Sequence, residues 1–411
     1  MCPLFCLLLI SIGSSDGLWL HLYETVLAKY VLNTVSLMVG VGFFTFLIGV
    51  TTAWIVTTYN FHLKKFCDFV LLLPAACPAY LIAYAYTDFL EYAGPLQGFL
   101  RQITGWTSSA DYYFPEIRSL GGTIFVLSSV LYPYVYILSR TAFRQTPSSL
   151  LDVSKIYGKS TFWYLSLPLA RPAIIVGLAL VSMEVISDFG TVEYFSLQTL
   201  TLGIFNVWIG MNNITAAAQI AVFTFIFIIG LLILELKFRA NKRFNNTTNR
   251  SVFIQPKRVN LRFSAFLVTL CLLPVMFGFI IPVSILLSNI IGNFSFYKIL
   301  ELWIVLKNTV FIAFIGSLLI ILIATFIVCA TATNKLKFLP VIAHLSATGY
   351  AFPGTMLAIG VLVTVGFIDE IIELSTSINL YSEAPYYLSG TILVLLFAYV
   401  VRFNAVGYGS I

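Results

Sequence analysis

The sequence is short of charge. Asp, Glu, Lys and Arg together make 10% of its 411 residues, where a soluble domain carries about 25%. A water-soluble globule needs a solvated surface, and this chain has too little of one. Histidine is scarce: His21, His62 and His344 lie far apart and no H-E-x-x-H occurs, so a zinc hydrolase or intramembrane protease has no basis. The six cysteines (Cys2, Cys6, Cys67, Cys77, Cys271, Cys329) include no C-x-x-C pair and read as small apolar fillers rather than metal ligands or a disulfide framework. A phosphate-binding loop is also missing. Gly158-Lys159-Ser160 has the end of G-x-x-x-x-G-K-[ST], but Val153 stands where the first glycine belongs, and no strand precedes it. ATP binding by this chain is therefore excluded, and no cofactor is expected.

What the chain has instead is apolar length. Hydrophobic residues make 59% of it, with a mean hydropathy of +0.96. Repeated apolar runs of roughly 20 residues read as a polytopic bundle of transmembrane helices, all-α. The alternating segments of about 10 residues that a membrane β-barrel requires are absent. Ten spans are expected: Cys2–Ile12, Val31–Val56, Phe69–Phe89, Gly122–Ser139, Ala173–Ile186, Ala216–Leu236, Phe263–Ser288, Asn308–Thr331, Leu339–Val365 and Leu388–Val401. The first is only about half a span and lacks a basic flank, so it reads as a clipped transmembrane helix rather than a signal peptide.

The few charges are distributed by side. Loops 57–68, 140–172, 237–262 and 332–338 and the end of the tenth span hold 18 of the 23 Lys and Arg residues. The opposite loops hold most of the acids, among them Asp88, Glu91, Asp111, Glu116, Asp369, Glu370, Glu373 and Glu383. The positive-inside rule then places the basic loops in the cytoplasm. The net charge of +6 follows this topology and is no sign of a nucleic-acid partner. The segment 237–262 carries eight basic residues and no acid, as expected of a linker beside an anionic leaflet.

The chain also repeats itself. Val31-Leu32-Asn33-Thr34-Val35 is similar to Leu306-Lys307-Asn308-Thr309-Val310, and Pro78–Ala83 to Pro353–Ala358, both at an offset of 275; Gly122-Thr123-Ile124 is similar to Gly390-Thr391-Ile392 at an offset of 268. Paired spans cross in the same direction, which makes a parallel repeat. The expected organisation is a first half at 1–236, a basic linker at 237–262 and a second half at 263–411.

Between the fourth and fifth spans lies the stretch 146–172, TPSSLLDVSKIYGKSTFWYLSLPLARP. Thr146 suits a helix N-cap and Pro147 its first turn, while Leu150, Val153 and Tyr157 recur on one face. Gly158 is a natural stop. A second short helix is expected from Ser160 to Leu167, ending at Pro168. This pattern resembles the coupling loop of ABC importer permeases, E-A-A, three residues, G, nine residues, I-x-L-P. Asp152-Val153-Ser154, Gly158 and Leu165-Ser166-Leu167-Pro168 match it in type and order. Asp replaces Glu, both alanines are replaced, and the spacing from Gly158 to Pro168 is three residues shorter. Further along, Asp188–Phe195, Gln198-Thr199, Gly203-Ile204, Ala216–Gln219 and the exit Leu167–Pro172 resemble the iron(III) permeases of binding-protein-dependent ABC importers.

The resemblance implies a type I ABC permease fold of two homologous halves in a bacterial inner membrane. It implies separate ATPase subunits that bind the ATP and dock on Asp152, Gly158, Leu167 and Pro168, and a periplasmic protein that delivers ferric iron. The chain would be a transport subunit, not an enzyme. The repeat puts a second coupling loop near position 420, so the second half is expected to be incomplete at its C-terminus. Glu184 and Asp188, four residues apart on one helix face, are candidates for the translocation path; a structural role, bonding a neighbour or capping the broken segment after them, is the alternative. A permease for thiamine, a polyamine or an oxyanion, and a secondary transporter or channel, remain as alternative functions.

Overall fold

The computed structural model describes residues 2–146, 156–158, 160–240, 256–292, 296–333, 339, 343, 349–376 and 388–411. In chain order its helices are α1 (Cys2–Ser11), α2 (Leu18–Thr58), α3 (Lys64–Val70), α4 (Ala79–Leu90), α5 (Pro95–Thr104), α6 (Leu120–Arg144), α7 (Phe162–Ser187), α8 (Gly190–Tyr194), α9 (Leu200–Gly210), α10 (Ile214–Ala240), α11 (Leu261–Gly292), α12 (Phe296–Thr333), α13 (Gly354–Thr376) and α14 (Ile392–Ser410). Strand is confined, among the described residues, to β1 (Tyr59–Asn60) and β2 (Lys257–Arg258), which pair in parallel. Among the described residues seven helices are long and apolar enough to cross a membrane, and a bent pair makes an eighth candidate. The chain is an all-α, multi-pass membrane protein.

Prolines move several expected boundaries. The third expected span is broken: the axis turns by 88° between Lys64–Ala76 and Ala79–Thr104. Pro78 lacks the N–H that would continue the helix and forces Cys77 out of helical backbone, to φ −100° and ψ 127°. The fifth span is longer than expected, and no helix ends at Pro168. α7 runs from Phe162 straight through Pro168 and Pro172 to Ser187. Its first turn is a π-turn over Phe162–Ser166, closed by the Leu167 N–H on the Phe162 carbonyl. Widening the turn there tolerates a proline whose N–H could not have bonded anyway. Helix α13 begins at Gly354, after Pro353; most of the expected ninth span before it, from Leu339, lies outside the described residues.

The described residues form two compact units. One comprises Lys29–Thr199 and Ile229–Gly292, and α6 is its core. Tyr132 and Tyr136 on α6 are fully buried. Tyr132 donates its hydroxyl to the Leu71 carbonyl at 2.9 Å, satisfying the end of α3. Backbones pack closely around α6 where side chains are smallest. A Cβ on Gly49 of α2 would meet the Val135 Cβ at 2.9 Å, and one on Gly278 of α11 would overlap the Ser129 carbonyl oxygen. The other unit comprises Met1–Ala28, Leu200–Ile228 and Asn293–Ile411. There α1 packs on α13, with Gly360 against Pro3, and α12 packs on α14, with Gly407 against Ala324 and Ile320. Gln219 donates to the Ser11 and Gly13 carbonyls at 3.2 and 3.3 Å, tying α10 to the end of α1.

Candidate functional site: the stems of the 146–172 loop

The loop between α6 and α7 is held at both stems by one aromatic side chain. Trp54 of α2 meets Phe143, in the last turn of α6, at 5.4 Å between ring centroids in an edge-on geometry. The same indole meets Phe162, the first residue of α7, at 5.1 Å. Phe143 is fully buried. The departing and returning chain are thus clipped to one point on a third helix. Edge-on and tilted aromatic pairs add about 0.5–1.5 kcal/mol each beyond the area they bury.

A carboxylate holds the departing stem from another side. Asp68 of α3 accepts the Tyr136 hydroxyl at Oδ1 (2.6 Å). Its Oδ2 accepts from the guanidinium groups of Arg140 and of Arg144, the latter at 3.0 Å. Residues 136, 140 and 144 are successive turns of one α6 face, so a single carboxylate reads that face at i, i+4 and i+8. Asp68 is well shielded, with a side-chain exposure of 16%. Neither Trp54 nor Asp68 stands out from helical periodicity. The one available signal was that Asp68 is an isolated acid in a loop otherwise populated by Lys64 and Lys65.

The expected loop residues fall as follows. Asp152, Leu150 and Val153 lie outside the described residues. Gly158 is exposed and left-handed, at φ +63°, the conformation its stop role requires. A Cβ there would meet nothing within 4 Å, so any penalty for substitution is conformational, not steric. Tyr157 and Ile156 are largely exposed, at 76% and 82%. Leu167 and Pro168 sit half-buried inside α7. Thr146, expected as an N-cap, turns its hydroxyl back to the Ala142 carbonyl at 3.4 Å and is buried at the end of α6.

Glu184 and Asp188 lie at the far end of α7. Glu184 is half-buried in the last turn. Asp188 is the C-cap, with extended backbone at ψ 118°, and remains within electrostatic reach of Glu184. Its Oδ1 accepts the Thr191 N–H at 3.3 Å, which caps α8. Its Oδ2 is buried and has no hydrogen-bond partner among the described residues. One oxygen therefore has a structural task and the other is uncommitted. Among the described residues no group of three or more His, Cys, Asp or Glu side chains could hold a metal ion.

Two comparisons bear on this arrangement. The family model for "binding-protein-dependent transport system inner membrane component" matches residues 45–240. That segment contains Trp54, Asp68, both loop stems, Glu184 and Asp188. The chain is also 27% identical over 205 residues to a protein of Haemophilus influenzae named Fe(3+)-transport system permease protein FbpB 2. The alignment covers 49% of this chain and 36% of that relative's length. Residues 45–240 are therefore similar to the inner-membrane components of binding-protein-dependent transport systems.

Proposed function

We propose that this chain is a permease subunit of an ATP-binding-cassette importer, carrying ferric iron that a periplasmic protein delivers, with ATP hydrolysed by separate subunits docked on the 146–172 loop. The observation that carries the reading is the clamp on that loop. A cytoplasmic loop with no task beyond connection needs no anchor, whereas one that must transmit force needs rigid stems. Trp54 and Asp68 supply them within the family-matched segment. Exposed Ile156 and Tyr157 give the loop an apolar tip on which a partner can close. Movement of the tip then biases α6 and α7 together between two states of the bundle, a population shift driven by the partner's nucleotide cycle.

Iron(III) as cargo rests on the relative's name and on donor chemistry. Ferric iron is a hard cation that prefers oxygen ligands, and Glu184 with the uncommitted Oδ2 of Asp188 offers two carboxylates at one end of α7. The parallel repeat belongs to this reading as well, each half contributing one set of spans. The test is uptake by proteoliposomes reconstituted with an ATPase and a binding protein. ATP-dependent entry of radiolabelled iron is expected, lowered at least about tenfold in Glu184→Gln/Asp188→Asn, where a transported charge loses its partners, with ATPase binding unchanged. Competition by thiamine, a polyamine or an oxyanion would move the cargo assignment within the class. Uptake driven by an ion gradient without the ATPase would replace the class with a secondary transporter or channel.

A further inference from the structure

The helix that carries Asp68 does not run with the spans. Between Lys64–Ala76 and Ala79–Thr104 the axis turns by 88°, so when the second segment crosses the bilayer the first lies in the plane of the membrane. Its faces are sorted to match. Cys67 and Val70 are buried against the bundle, while Phe66 and Phe69, three residues apart, are 52% and 65% exposed. Lys65 is exposed beside them. An in-plane helix with aromatics outward and lysines at its start is the pattern of an interfacial segment seated at the headgroup level.

Charge says what it meets there. Lys64 lies within electrostatic reach of Arg140, Arg144 and Asp68. Among the described residues this makes three cations around a single carboxylate, with Lys65 next to Lys64 in the chain. Asp68 already accepts from both arginines and Tyr136, so it cannot neutralise the lysines as well. The Arg140 Nε–H is buried without a hydrogen-bond partner among the described residues. A surface with surplus positive charge and two outward phenyl rings calls for a ligand that is anionic at one end and hydrocarbon at the other.

We infer that Lys64, Lys65, Arg140 and Arg144 bind the phosphate of an anionic phospholipid, whose acyl chains lie along Phe66 and Phe69. The lipid would complete the charge balance of the cluster that anchors the loop stem, which makes the stem sensitive to leaflet composition. The inference rests on the membrane-spanning character of the chain and not on its cargo or its ATPase.

The test places the purified chain in nanodiscs that expose both leaflets, so the result does not depend on sidedness. Two photoreactive lipids, a phosphatidylglycerol and a phosphatidylcholine with the same diazirine acyl chain, are crosslinked, and the peptide spanning residues 64–76 is mapped by mass spectrometry. The phosphatidylglycerol probe should label Phe66 and Phe69 at least about fivefold more than the phosphatidylcholine probe. Lys64→Gln/Lys65→Gln should bring that ratio to about one. Unlabelled phosphatidylglycerol should compete, and millimolar inorganic phosphate should not. A ratio near one in the unaltered chain would overturn the inference even if the variant fails to fold. Displacement by inorganic phosphate would overturn the lipid assignment, and an undiminished ratio in a folded variant would overturn the assignment to these residues.

Discussion

At the scale of single residues, two carboxylates make opposite use of their surroundings. Asp68 is shielded and accepts from one hydroxyl and two guanidinium groups. Replacing it by Asn leaves Arg140 facing a neutral amide in a half-buried site. Bonds to charged groups contribute about 1.5–3 kcal/mol each, and the remaining arginine regains part of its hydration, so a net loss of about 2 kcal/mol is expected. Thermal unfolding in detergent measures it. Arg144→Gln should cost less than half as much, because that side chain is 48% exposed and Arg140 still holds the carboxylate. Asp111, by contrast, is solvent-exposed and works through the backbone. It accepts the Thr107 and Ser108 N–H groups, both at 2.8 Å, bonds that hold its pKa below the ordinary 3.8. A depressed folded value stabilises the ionised turn above the unfolded pKa, and that stabilisation is lost as pH falls through the lowered value. The protection factor over residues 106–112, the intrinsic exchange rate divided by the observed rate at the same pH, should therefore be flat from pH 7 down to about the ordinary carboxylate pKa and fall only below it. Asp111→Asn should show the low protection factor at every pH.

At the scale of elements, the question is what joins α2, α6 and α7 at the loop. Trp54 touches both stems, so Trp54→Ala removes two ring contacts at once and opens a void between three helices. A buried Trp→Ala change costs about 3–5 kcal/mol, and half-burial lowers the expectation to about 2–3 kcal/mol. The informative comparison is Trp54→Phe, which keeps a ring near Phe143 but cannot span to Phe162. That variant should retain most of the stability and, with the ATPase partner proposed above, lose most of the stimulation of ATP hydrolysis. Equal loss of both would reduce Trp54 to a packing role. This clip was not legible in the sequence, and the reason is physical. Residues 54, 68, 143 and 162 are remote in the chain, and a contact map is not contained in helical periodicity. The apolar spans were legible because length and hydropathy alone make them. So was Gly158, because a left-handed stop favours glycine. The break at Cys77-Pro78 had its signal in the proline, but the run from Phe69 to Phe89 is apolar enough to hide it. Pro168 misled in the other direction. A proline usually marks a boundary, yet the π-turn before it lets α7 pass straight through. The second task of Asp188, capping α8, was visible only as an alternative.

At the scale of the whole molecule, surface chemistry follows the bilayer more than water. The most apolar windows of α12 and α14 are only 11% and 6% buried, and the outward side chains include Val310, Phe311, Phe314, Ile321 and Phe326 on α12 and Leu393 and Phe397 on α14. Such a surface is untenable in water and ordinary in hydrocarbon, where helices associate by close packing rather than by hiding apolar area. With the spans so accommodated, the remaining orientation problem is electrostatic. The loop clusters at 57–68 and 140–172 hold Lys64, Lys65, Arg140, Arg144, Lys155, Lys159 and Arg171, and the loop region 105–118 holds Arg118 with Asp111 and Glu116. Short basic loops resist translocation, and acidic ones resist it little. The basic loops should therefore lie in the cytoplasm and residues 105–118 outside. Reporter fusions decide this: fluorescent protein joined after Asn60 or Gln145 should mature and fluoresce, and alkaline phosphatase joined after Ser109 should be active. Lys64→Gln/Lys65→Gln/Arg144→Gln combined with Thr107→Lys/Ser109→Lys should lower both signals, because removing basic residues from the cytoplasmic side and adding them to the outer side shift the insertion bias in the same direction. Phosphatase activity from the fusion after Gln145 would invert the topology. It would also place the 146–172 loop where no cytoplasmic ATPase could reach it, so this measurement comes before any test of coupling.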